Sequence, residues 1–202
     1  MANLSHLSEG EMKEILMLQE RLTLLDTQHK AKDSFMEYIR YIWPSFIEGD
    51  HHRIIAEKLT RVAKGELKRL IVNMPPRHTK SEFASIYFPS WVMGLNPDMK
   101  IMQTTHTADL SINFGRKVRN LMDSDEYSNI FSKVSLASDS KSAGKWQTSQ
   151  GGEYFAAGVG GAIAGRGADL LIIDDPHSEQ DAMSINLLAV SYTHLRAHET
   201  RI

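Results

Sequence analysis

The fold class that the sequence predicts is α/β, a mostly parallel sheet with flanking helices. Three observations predict it. Short strand-like runs recur at Leu70-Ile71-Val72 with Met74, at Lys100–Thr105 and at Leu170-Leu171-Ile172-Ile173. Helical spacing fills the intervals Lys80–Met93 and Ala108–Met122. Two of the runs stop abruptly, one at Pro75-Pro76 and one at Asp174-Asp175-Pro176. Strands that alternate with helices need crossover connections, and these favour parallel pairing.

The elements follow in order. Residues 1–32 read as an N-terminal helix, because Leu7, Ile15, Leu18, Leu22 and Leu25 recur at roughly helical spacing and Ser8 with Glu11 forms a capping-box signature. Packing on the body of the protein is the expected use of its apolar face, with docking to a partner the alternative. A second helix is expected over Asp33–Trp43, stopped by Pro44. A third covers His52–Lys64, with Ile55, Leu59 and Val62 on one face and Gly65 at its end. Trp146–Thr148 and Tyr154–Ala156 flank Ser-Gln-Gly-Gly and read as a hairpin. Gly158–Gly167 holds five glycines in ten residues, a loop of wide backbone freedom. Val190–Thr200 reads VSYTHLRAHET, has no apolar period and resembles a translated sequencing adapter, so 190–202 is expected to be a non-native tail. The folded domain is then expected over 33–189.

Composition bounds the function. At about 150 residues per domain, 202 residues make roughly one domain. The apolar content of 42% and the charged content of 24% are those of an ordinary globular chain. A net charge of −2 excludes a strongly basic wrapper of nucleic acid but allows a local basic face. The absence of cysteine excludes disulfide scaffolds, thiol nucleophiles and thiolate zinc sites. No apolar run reaches the ~18 residues of a membrane span, and Met1–Gly10 lacks a signal-peptide layout. An intracellular protein without a membrane is expected.

Two motifs carry chemistry. Met74-Pro-Pro-Arg-His-Thr-Lys-Ser81 follows a predicted strand and opens a predicted helix, the layout of a phosphate-binding P-loop. In that reading Pro76, Arg77, His78 and Thr79 form the cradle, Lys80 reaches the β/γ-phosphates and the Ser81 hydroxyl binds Mg²⁺. Met74 and Thr79 stand at the two glycine positions, and a β-branched residue at the second is expected to resist positive φ. Alone, the same string also suits a turn with an exposed lysine. The second motif, ADLLIIDDP, sets Asp174 and Asp175 at the carboxyl end of an apolar strand, where ligands gather in parallel sheets. One carboxylate can hold Mg²⁺ and the other can polarise an attacking water. His51-His52 point about 100° apart on a helix and are expected to act at the helix start rather than as a metal pair. His106 and His177 lie near predicted strand ends, where they could sense phosphate.

Residues Phe35 to about Ser184 resemble the ATPase half of phage terminase large subunits, the DNA-packaging motors of tailed bacteriophages. The resemblance rests on IWPSFIEGDHH, GELKRLIVNMPPRHTKSEFAS, QTTHTADLSINFGRKVRN and GGEYFAAGVGGAIAGRGADLLIIDDPHSEQDA. It implies a P-loop NTPase core of the RecA/ASCE-like kind, truncated on its C-terminal side and lacking the family's nuclease domain. Lys80 and Ser81 would hold ATP and Mg²⁺, and Asp174 would be the Walker-B acid. Asp175 would stand where many members have a catalytic Glu, one methylene shorter. The resemblance makes Arg77 a candidate charge stabiliser and Arg166 a second basic group facing nucleotide or a neighbouring subunit. It also makes Trp43–His52 the adenine-contacting segment. The implied partners are double-stranded DNA, a portal protein, a small terminase subunit and further copies around the portal, in the host cytoplasm.

Two basic clusters are candidate DNA contacts, although both also suit solvated helix faces. One comprises Arg53, Lys58, Arg61, Lys64, Lys68, Arg69, Arg77 and Lys80; the other comprises Arg116, Lys117 and Arg119. A helicase-like translocase and a non-hydrolysing nucleotide- or DNA-binding module are the alternative functions.

Overall fold

The computed structural model describes residues 8–139, 142–161 and 166–177. Leu7, the centre of the glycine-rich loop at 162–165 and the tail at 190–202 lie outside the described residues, as does the expected domain boundary near 189.

Helix α1 (Glu9–Asp33) starts with the predicted capping box: the Ser8 hydroxyl accepts the Glu11 N–H, and the Glu11 carboxylate accepts the Ser8 N–H at 2.8 Å. The expected packing of its leucine face does not occur. Leu18, Leu22 and Leu25 are more than half exposed, and Ala31 is the one buried residue of the described helix. Leu16, Met17 and Leu24 are exposed as well, so the apolar residues surround the helix rather than line one stripe. The anchor lies at the C-terminal turn, where the Trp91 indole N–H donates to the Ala31 carbonyl at 2.8 Å.

Helices α2 (Phe35–Ile42) and α3 (Asp50–Ala63) follow as predicted, each within a few residues. The predicted helix after the P-loop string is continuous but changes pitch. A π-helical segment, Glu82–Tyr87, passes into α4 (Phe88–Leu95). Pro89 supplies the reason: its nitrogen has no proton to donate to the carbonyl one turn back, and a wider turn upstream relieves the ring clash. Every residue from Phe88 to Met93 is buried.

The strands are β1 (Lys100–Thr105), β2 (Lys145–Gln147), β3 (Glu153–Gly158) and β4 (Leu170–Ile173). They form one sheet in the order β2-β3-β1-β4. β1 runs parallel to both β3 and β4, and β2–β3 is the predicted hairpin. The fold is therefore α/β with a mixed, mostly parallel sheet. Helices α5 (Ala108–Met122) and α6 (Asp125–Ile130) connect β1 to the hairpin. Gly115 of α5 lies close to the sheet, and an added Cβ would stand 2.6 Å from the Ala143 carbonyl oxygen. The core gathers Phe35, Tyr38, Trp91, Val118, Tyr127 and Tyr154. Its tyrosine and indole groups find partners: Tyr38 and Tyr127 both bond to Ser90, and the Trp146 indole bonds to the Gly115 carbonyl. Among the described residues no helix is long and apolar enough to cross a membrane.

The predicted strand at Leu70–Met74 is not formed. The segment is irregular, and Ile71 is 86% exposed. A strand needs a neighbour to take its N–H and C=O groups. β4 is an edge strand of this sheet, and among the described residues no strand pairs with Leu70–Met74. Apolar content alone leaves the run without a ladder.

Candidate functional site

Because β1 and β4 are parallel neighbours, both end at the same edge of the sheet. The Asp174 N–H donates to the Thr104 carbonyl at 3.0 Å, and the His106 N–H donates to the Asp175 carbonyl at 3.2 Å. This pairing fixes the backbone of both aspartates. The carboxylate of Asp174 is buried and accepts the Ser85 hydroxyl at 2.8 Å. Asp175 takes a left-handed backbone, φ 43°, and its side chain stays in solvent.

The P-loop string crosses this edge. Lys80 donates to Asp175 at 2.6 Å across 95 residues of sequence and lies 3.7 Å from Asp174. Burial disfavours the Lys80 ammonium, but the hydrogen bond and charge of Asp175, with Asp174 behind it, outweigh that and raise its pKa above the usual lysine value. The two motifs therefore meet as a cation between two carboxylates.

The loop before Lys80 corrects one expectation. Thr79 does adopt positive φ, 59°, and Arg77 does so at 63°, whereas His78 between them does not. The left-handed region costs an L-residue roughly 1–2 kcal/mol, and β-branching makes it rarer. A compensating contact is present: the Thr79 hydroxyl lies 2.7 Å from His52 Nε2. Left-handed residues that alternate with right-handed ones can turn successive N–H groups to one side, a geometry that receives anions. Ser81 follows with ordinary helical angles, φ −69° and ψ −35°.

His52 joins the loop to the segment Trp43–His52. Its ring packs on Phe46 and Phe83, with centroids 4.7 and 5.2 Å away. Trp43 stacks on Tyr87 at 5.6 Å. Glu48 braces the segment by pairing with Arg53 of α3 and Arg40 of α2, and these pairs hold its carboxyl below the usual glutamate range. The segment that sequence reasoning named as an adenine contact thus lies against the helix that leaves the loop. Sequence reasoning missed Ser85 and His52 in these roles. Ser85 had a signal, since it lies four residues after Ser81 on the predicted helix. His52 had none, because its partner is 27 residues away.

The remaining candidates divide. Arg77 and His78 are exposed at the loop, with the His78 ring bonded to the Pro76 carbonyl at 2.8 Å. His106 meets the aspartates through its backbone bond to Asp175, and His177 follows them by two residues; each has one buried ring nitrogen that lacks a hydrogen-bond partner. Arg166 is not brought to this edge. Its guanidinium stacks on Phe155 at 4.1 Å and pairs with Glu153, the residue that starts β3 at the opposite end of the sheet. In the first basic cluster Arg53, Lys58, Arg61 and Lys80 all pair with carboxylates, so little of the charge on these four faces solvent uncompensated. Arg116 and Lys117 of α5 are exposed.

The residues present fit a nucleotide with its magnesium. A buried carboxylate and hydroxyls are the hard oxygen donors that Mg²⁺ prefers, and a lysine at a loop that opens a helix suits phosphate. No protein-family model, curated protein or solved structure matches this chain.

Proposed function

We propose that the chain is the ATPase part of a phage terminase large subunit, with a P-loop NTPase core that couples ATP hydrolysis to the packaging of double-stranded DNA into procapsids in the host cytoplasm. The observation that carries the reading is the meeting of Lys80 with Asp174 and Asp175 at the end of a parallel strand.

In this reading the N–H groups of Arg77–Ser81 and the Lys80 ammonium hold the phosphates, and Asp174 with Ser81 would hold Mg²⁺. The metal supplies charge neutralisation on the phosphates when bound. Lys80 leaves Asp175 for the phosphate, which frees that carboxylate to orient water. Arg77 is positioned to add positive charge at the loop. Portal protein, a small terminase subunit and further copies of the chain are the partners. The test is Mg-ATP binding and phosphate release by the chain and by Lys80→Ala. Loss of both in the variant is expected, and unchanged turnover would overturn the assignment.

A second reading, a nucleotide-binding module without hydrolysis, is favoured by one observation: the Asp175 carboxylate is engaged by Lys80 at 2.6 Å. Mg-ATP that raises the melting temperature without phosphate release would select it.

A further inference from the structure

We infer that His52 is the residue that allows a threonine to occupy the glycine position of the phosphate loop, holding Thr79 in its left-handed conformation through the hydroxyl. The inference rests on the reading of Pro76–Ser81 as that loop, and it concerns a positioning residue.

The hydrogen bonds around His52 form one directed chain. The Gly49 N–H donates to His52 Nδ1 at 2.9 Å, so Nδ1 carries no proton. The proton of the neutral ring is then on Nε2, which donates to the Thr79 hydroxyl at 2.7 Å. That hydroxyl in turn donates to the His78 carbonyl at 2.7 Å. With Nδ1 accepting and Nε2 donating, the tautomer is fixed. The ring is held by its surroundings. It is 6% exposed, packs against the Phe46–Phe83 ring pair, and sits in the first turn of α3. The threonine hydroxyl is therefore tied to a rigid element on one side while Lys80, next in sequence, is tied to Asp175 on the other. A glycine at position 79 would need no such tie, because it visits positive φ without steric cost. His52 and Thr79 are thus a matched pair that does the work of one glycine.

The pair is tested by a double-mutant cycle with His52→Phe and Thr79→Gly, read two ways on the whole chain. Phenylalanine keeps the aromatic packing and removes both ring nitrogens. In thermal melts, Thr79→Gly should raise the melting temperature more in the His52→Phe background than in the wild type. Equal shifts in the two backgrounds would overturn the inference, and this arm needs no nucleotide. In Mg-ATP titrations, His52→Phe should weaken binding about tenfold with Thr79 present and by less than about twofold in the Thr79→Gly background. His52→Gln, whose amide N–H can replace the Nε2 donor, should restore most of the affinity. Equal weakening in both backgrounds, or none, would also overturn it. A wild type that binds no nucleotide would remove the proposed function, and the thermal cycle would then decide the role of His52.

Discussion

Two adjacent stretches of this chain contradict ordinary expectation. Leu70–Met74 is apolar and reads as a buried strand, yet it is irregular and Ile71 lies in solvent. Pro75–Lys80 is polar and turn-like, yet its last two side chains are held by residues 27 and 95 positions away. The difference lies in what each stretch needs from elsewhere. A strand needs a whole neighbouring strand to bond with, whereas a loop of a few residues is specified by one hydroxyl contact and one ion pair.

The largest effect should come from the floor under the loop. Phe83→Ala removes a ring that is 1% exposed and touches Phe35, Phe46 and His52. A loss of about 3–5 kcal/mol in denaturant unfolding is expected. A loss below about 1 kcal/mol would mean that the loop does not depend on this packing.

Ser85→Ala should come next. It leaves the buried Asp174 carboxylate without its hydroxyl donor, which costs about 1–3 kcal/mol. Calorimetry would check this, and Ser85→Thr should recover part of the loss.

The pH dependence of stability is a smaller and more specific probe. Burial and the neighbouring His51 lower the His52 pKa below its usual 6.5, while Glu48 opposes them. The unfolded chain therefore binds a proton that the folded ring refuses. The His52 contribution is complete above about pH 6.5 and is lost as pH falls toward the lower folded value. His52→Phe should flatten the acid side of the stability curve, read by melts between about pH 7 and 5. An unchanged slope would assign the acid dependence to other groups.

The smallest effect should be that of Ile71→Ser, within about 0.5 kcal/mol, as for an exposed site. A loss near 2 kcal/mol would show that the segment is buried in solution and would erase the contrast between the two stretches.

Local patterns made much of the fold legible. Helical spacing, the Ser8–Glu11 capping box, Pro44 and the Ser-Gln-Gly-Gly hairpin turn each act within a few residues, so the sequence carries them in full. Leu170–Ile173 reads as a strand because a short apolar run ending in Asp-Asp has few other uses. Pro89 should have announced the π-helical turn, since proline inside a helix forces some adjustment. The leucines of α1 misled because periodicity reports what a helix can bury and not whether a surface is there to receive it.

At the site, the sequence by itself determined which residue types were present and in what order: the cationic Lys80 opening a helix, and the paired carboxylates Asp174 and Asp175 ending a strand. Only the tertiary structure decided which of them meet. The parallel pairing of β1 with β4 set the aspartates at one edge, the helix after the loop brought Ser85 to Asp174, and α3 carried His52 to Thr79. The same topology left Arg166 at the far end of the sheet. The physical reason is that propensity and capping are short-range. Ion pairs and hydrogen bonds between distant residues depend on where the sheet and helices place them, which no local string encodes.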